Sequence, residues 1–320
     1  MNSQVLKEIS IKEIEGFSIG NAEITEAGTG CTVILAEGGV VTGLDVRGGG
    51  PASRESALLD PLAANDSVNA VLLSGGSAFG LDAAAGVMKY LEERSIGFPT
   101  AYGVVPIVCA SCLFDLPVGR ADVRPDAALG YQACENAGKF EEGNHGAGTG
   151  ASCGKAMGIE YAMKSGLGIY AVQVGELKVG AVVAANPFGT IFDHETGRPV
   201  AGIMDQDGRF IDSEDVLFAM AGKFNAFTDN TTIGAILTNG MFNKSELCKI
   251  AGMAHDGLAR AIRPVHTMFD GDSVYAMSKG SVKADINVVG AIAAKVMAEA
   301  IKRAALTAES AYGLRGAGHE

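Results

Sequence analysis

The chain has 320 residues, 48% of them hydrophobic and 19% charged, which excludes an intrinsically disordered protein. Lys+Arg 25 against Asp+Glu 37 gives a formal net charge of −12, a poor match for nucleic acid or an anionic membrane surface. The 44 glycines, without a period, exclude collagen and point to tight turns, closely packed backbones and N–H groups able to hold an oxyanion.

No apolar run is long enough to span a bilayer, and the opening stretch MNSQVLKEISIKEIEG lacks the apolar centre of a signal peptide. A cytoplasmic protein is expected. The length alone suggests two domains, but no linker, charge block or low-complexity tract divides the chain. A single catalytic domain over 1–320 is therefore expected.

Alternating short β-type runs and amphipathic stretches predict strands over 31–35, 68–73, 168–174, 179–185, 233–238 and 273–277. Helices are predicted over 83–93, 125–136, 213–221, 245–261 and 288–306. In chain order, the first candidate feature is Ser74-Gly75-Gly76-Ser77, where a buried strand runs into an Ala-rich helix. It reads as a capped helix start or as an anion-binding turn. Cys109 and Cys112 have the C-x-x-C form, but with no second pair and no nearby His they read as core. The run from Gly143 to Gly150, continuing to Lys155, fails both the P-loop and the dinucleotide spacing. It remains either a tight loop or a loop presenting N–H groups and Lys155 to a site.

Gly175 to Lys178 joins two strands as a short turn, and Asp205-Gln206-Asp207-Gly208 reads as a turn, not a calcium loop. Hairpins mixed with long helices fit layered α/β or α+β better than a purely parallel sheet. Thr228 to Thr232 form a polar run against the apolar strand that follows. It reads as a loop, or as a self-cleavage site between Asn230 and Thr231 that would free an α-amine beside a hydroxyl. Leu247, Ile250, Ala251, Ala254 and Leu258 line one face of the 245–261 helix. Asp270 and Asp272, two apart, would share a face if strand began early enough. Two such carboxylates repel, and one can stay protonated near neutral pH. The five His show no ligand spacing, so neither metal nor cofactor is expected.

Four stretches in this order resemble the P1 or S58 peptidase family: residues 73–88, 143–155, 230–240 and 251–276. That family includes D-aminopeptidase/L-amino-acid esterases, β-aminopeptidases and nylon-oligomer hydrolases. The resemblance runs from about Gly20 to Leu306. It implies an α/β fold, a layered α-β-β-α sandwich that uses an N-terminal nucleophile on its own topology. It also implies self-cleavage into a 1–230 and a 231–320 chain that stay together, and a homo-tetramer of cleaved protomers. By this resemblance Thr231 is the nucleophile, Asn230 precedes the cut and Asn186 is the oxyanion donor. Lys155 lines the site, and Asp270 and Asp272 orient the nucleophile and its amine. The implied substrate is a small amide or peptide.

The chain looks closest to the Thr/Asp branch, which holds the nylon-oligomer hydrolases. Three departures are visible. Asn239-Gly240 stands where relatives often have Asp-Ala, and Phe114 stands where many have a hydroxyl-bearing aromatic. The stretch Cys109 to Phe114 has no acid to bind a substrate amine, which argues against strict aminopeptidase specificity. Two other readings stay open on sequence: acyl transfer of the ornithine-acetyltransferase kind, and a non-catalytic protein with a Gly-rich ligand cleft.

Overall fold

A computed structural model describes residues 6–221 and 230–318. Residues 228 and 229 of the polar run before Asn230 lie outside them. Ten strands form the main sheet: β1 (Lys7–Ile9), β2 (Phe17–Ile24), β3 (Thr29–Val46), β4 (Ala52–Arg54), β5 (Ser67–Ser74), β6 (Val108–Cys112), β7 (Leu167–Val174), β8 (Leu177–Asn186), β9 (Thr231–Gly240) and β10 (Ser273–Val282). The helices are α1 (Ala83–Glu92), α2 (Ala127–Glu135), α3 (Ser213–Ala219), α4 (Lys244–Ala261) and α5 (Ile286–Leu306).

The strand order is β1-β7-β8-β9-β10-β3-β5-β6-β4, with β2 also on β3. β9 and β10 run parallel with α4 as their connection, and β5 and β6 run parallel across α1. The other pairs in this sheet are antiparallel. The sheet folds on itself through β3, whose register breaks between Leu35 and Val40. Its first half pairs with β2 and β5, and its last residues pair with β10. The two inner layers are thus one continuous sheet.

Three apolar layers follow. Ile34, Val71, Leu73 and Cys109 meet Val182, Ala184, Ile233, Ala235 and Tyr275 between the two halves of the sheet. α4 and α5 cover one outer face, with Leu247, Ile250, Ala251, Ala254 and Leu258 all fully buried against it. α1 and α2 cover the other. The result is the α-β-β-α sandwich the resemblance implied. Glycine makes the helix contacts close: a Cβ at Gly86 would lie 1.8 Å from the Ala127 carbonyl oxygen, and one at Gly168 would lie 1.9 Å from that of Ala300.

The hairpin between β7 and β8 turns on two residues, Gly175 and Glu176, since Val174 faces Leu177 in register. At Asp205, one carboxylate oxygen accepts from the Asp207 and Arg209 backbones at 2.9 and 2.8 Å, which makes it a turn. Cys109 and Cys112, three apart on β6, lie on opposite faces and, like the other cysteines, are free. No described helix is long and apolar enough to cross a membrane.

Candidate active site

β8 ends at Asn186 and β9 begins at Thr231, and these two residues are register partners. Side chains two apart share a face. Val182 and Ala184 lead to Asn186, and Ile233 leads back to Thr231. Both polar residues therefore close the end of the intersheet layer. Asn186 is fully buried and Thr231 is 3% exposed.

The Asn186 side chain is held at both ends. Its Oδ1 accepts from Lys155 Nζ at 2.7 Å and from the Ser152 backbone N–H at 3.0 Å, and its Nδ2 donates to the Phe114 carbonyl at 2.9 Å. Donors at one end and an acceptor at the other settle which way the amide points. Phe114, lacking a hydroxyl, serves the site through its backbone. Lys155 also donates to the Ser152 and Asn186 carbonyls, at 3.2 and 3.0 Å. Burial without a contacting carboxylate pulls its pKa down to about 7.

On the other flank, Asp270 and Asp272 precede β10 and are not part of it. The shared-strand-face expectation is corrected: a loop, not strand alternation, brings them to β9. Asn230 N–H donates to the Phe269 carbonyl at 2.8 Å, and Gly271 N–H donates to the Asn230 carbonyl at 3.1 Å. The Thr231 hydroxyl also donates to that carbonyl. A Cβ at Gly271 would come within 2.7 Å of Thr231 Oγ1, so glycine is required beside the hydroxyl. Asp272 Oδ1 accepts from the Thr232 backbone at 2.8 Å. Asp270 accepts from the Phe188 backbone at 3.2 Å, the Thr267 backbone at 3.0 Å and the Thr267 hydroxyl at 2.6 Å. Burial, and then the charge of Asp272, push Asp270 up to about 6.

The structure thus gathers Thr231, Asn230, Asn186, Lys155, Asp270 and Asp272 at one end of the sandwich. Sequence reasoning missed several supporting groups. Gly48 and Gly50 donate to the Asp272 and Asp270 carbonyls at 3.3 and 2.9 Å, strapping the acidic loop down. Asp115 is 2% exposed and fills the Ser74–Ser77 turn, accepting from Gly76 N–H at 2.6 Å and the Thr29 hydroxyl at 2.7 Å. That turn therefore holds an internal carboxylate. The N–H groups of Gly146 and Ala147 are likewise taken, by Glu23 and Thr32. No local motif announces these partners, because each lies far along the chain. Among the described residues, no three His, Cys, Asp or Glu side chains gather as a metal site.

This layered architecture is of the N-terminal-nucleophile-hydrolase-like class. It superposes on the L-aminopeptidase D-Ala-esterase/amidase of Ochrobactrum anthropi, a variant among the Ntn hydrolase fold, with a TM-score of 0.70 at 18% identity. That match covers 96% of this chain and 89% of the other. A Pyrococcus horikoshii protein gives a TM-score of 0.71 at 20% identity, covering 99% and 94%. The chain belongs to peptidase family S58, which matches residues 10–318. It is 38% identical to an uncharacterized aminopeptidase of Mycobacterium leprae, over 95% of this chain and 92% of the relative. It is 33% identical to a 6-aminohexanoate-oligomer endohydrolase of a Kocuria species, over 92% and 85%. These relationships make the chain an amide-bond hydrolase.

Proposed function

We propose that the chain is a precursor that cuts itself between Asn230 and Thr231 and then hydrolyses amides with the freed Thr231. In the cut, Thr231 Oγ attacks the Asn230 carbonyl carbon while the Gly271 N–H steadies the developing oxyanion. The Thr231 nitrogen leaves with the proton, an ester links Asn230 to the Thr231 oxygen, and water hydrolyses that ester. The products are an Asn230 carboxylate and a threonine with both hydroxyl and α-amine free.

In turnover, that amine accepts the hydroxyl proton as Oγ attacks the substrate carbonyl. The proton then goes to the departing amine, and water releases the acyl group. Asn186 Nδ2 has two hydrogens, one of them on Phe114. The second serves the substrate oxyanion, and Lys155 on Oδ1 fixes its aim. The ionised acids are the counter-charge for the Thr231 ammonium.

The observation that carries this reading is the Thr231 hydroxyl bonded to the carbonyl of the bond to be broken, in register with Asn186. A small amide or amide oligomer is the proposed substrate, in line with the name of the Kocuria relative. Processed protomers are proposed to assemble as tetramers. Thr231→Ala is expected to leave one full-length band on a denaturing gel and no amide hydrolysis. A variant that still splits, or still turns over amides, would show the nucleophile to be elsewhere.

A further inference from the structure

Asp272 Oδ2 accepts two bonds from one residue, the His266 backbone N–H at 3.2 Å and His266 Nδ1 at 2.8 Å. To aim both donors at one oxygen, His266 takes a left-handed backbone with φ +57°, uncommon for a residue with a side chain. A carboxylate only accepts, so Nδ1 carries the hydrogen. The His266 ring lies edge-on to that of His255 on α4, with centroids 4.8 Å apart. His255 is fully buried, and its Nε2 faces the Asp45 carbonyl at 3.0 Å. Burial holds His255 neutral, with its pKa down to about 4.

The other charges against these rings come from β3 and the loop after it. Asp45 Oδ1 is 3.5 Å from His255 Nε2 and 3.1 Å from Arg47 Nε, so its charge is matched by Arg47. Arg47 also donates to the Gly252 carbonyl on α4 at 2.8 Å. Among the described residues, His266 is thereby left with Asp272 as the one anion in contact. Asp270, by contrast, receives its bonds, among the described residues, from the neutral Phe188 and Thr267 groups. The two acids are alike in sequence and unlike in surroundings.

We propose that His266 is a positioning residue that pins one oxygen of Asp272 and so holds the other on the Thr232 N–H at the start of β9. The inference rests on the self-processing reading, because the ammonium that Asp272 would face exists only after the cut.

The test uses His266→Asn and His266→Gly, both of which tolerate a left-handed backbone. Asn keeps an uncharged N–H near the position of Nδ1, and Gly removes the side-chain donor. Amide turnover is measured and normalised to the amount of small chain. His266→Gly frees the Asp272 carboxylate to turn away from the start of β9. The variant's kcat should fall roughly 10- to 100-fold with KM little changed. His266→Asn, which keeps a donor to Asp272, should stay within about threefold of the parent.

A His266→Gly variant with the parent's kcat overturns the proposal. So does a His266→Asn variant that drops tenfold or more, and this second arm stands even if the Gly variant fails to fold. The parent and Thr231→Ala run on the same gel separate the two claims. A parent that never splits sinks the self-processing reading, while a parent that splits beside an unchanged His266→Gly kcat sinks only the role of His266.

Discussion

Replacing Lys155 by Met, in a chain kept whole by Thr231→Ala, removes a buried amine and keeps most of its volume. In the folded chain burial takes this amine from its ordinary value of 10.5 to about 7. The folded state therefore favours the neutral form. Its contribution to stability is greatest above pH 10.5 and is lost as pH falls toward about 7, below which the loss is complete. The full loss amounts to as much as about 5 kcal/mol. Met takes up no proton and shows none of this dependence. The substitution also costs Asn186 Oδ1 its shortest bond and the Ser152 and Asn186 carbonyls their bonds to Lys155, a penalty that shifts the whole curve and is not what the pH comparison reads. Urea unfolding at several pH values between 6 and 10, followed by tyrosine fluorescence or circular dichroism, measures the difference. The Lys155→Met chain should gain on its parent by several kcal/mol as pH falls from 10 to 6. Parallel stabilities across that range would refute a desolvated lysine at this position.

Other outcomes follow from single contacts. Asn186→Ala in the otherwise unaltered chain should lower kcat for amide hydrolysis by about 10²–10³, read in steady-state kinetics. Gly86→Ala sets a Cβ against the Ala127 carbonyl and should cost about 1–3 kcal/mol, read as a lowered Tm, with the pH profile unchanged. Ser111→Ala removes the partner 2.8 Å from the buried Tyr275 hydroxyl. It should cost about 1–3 kcal/mol in urea unfolding and leave self-cleavage intact.

Features set by local periodicity could be read from the residues alone. The apolar runs of β7, β8 and β9 and the apolar face of α4 appear in the structure where expected, because each needs only near neighbours in the chain. β3 was read only over 31–35, since Gly38 and Gly39 look like a break. They instead carry positive φ through the irregularity at which the strand continues into the other half of the sheet. β2 was missed because Gly20 interrupts its apolar pattern, and that glycine is there to let α2 lie close: a Cβ would meet the Ala133 carbonyl oxygen at 2.1 Å. Lys155, Asn230, Thr231, Asp270 and Asp272 stand out as candidates by residue type and spacing, the family resemblance selects them and adds Asn186, and the structure brings the six together. Asp115, the glycine strap at 48–50 and His266 were not found, because their partners lie on other elements or depend on a left-handed backbone that no spacing rule reports.

The most direct test is N-terminal sequencing, with intact mass, of the actively hydrolysing protein separated under denaturing conditions. A small chain that begins at Thr231 with a free α-amine, beside a large chain ending at Asn230, is the predicted result. An active preparation that is one uncut 32.7 kDa chain, or a small chain that begins at Thr232, would contradict it.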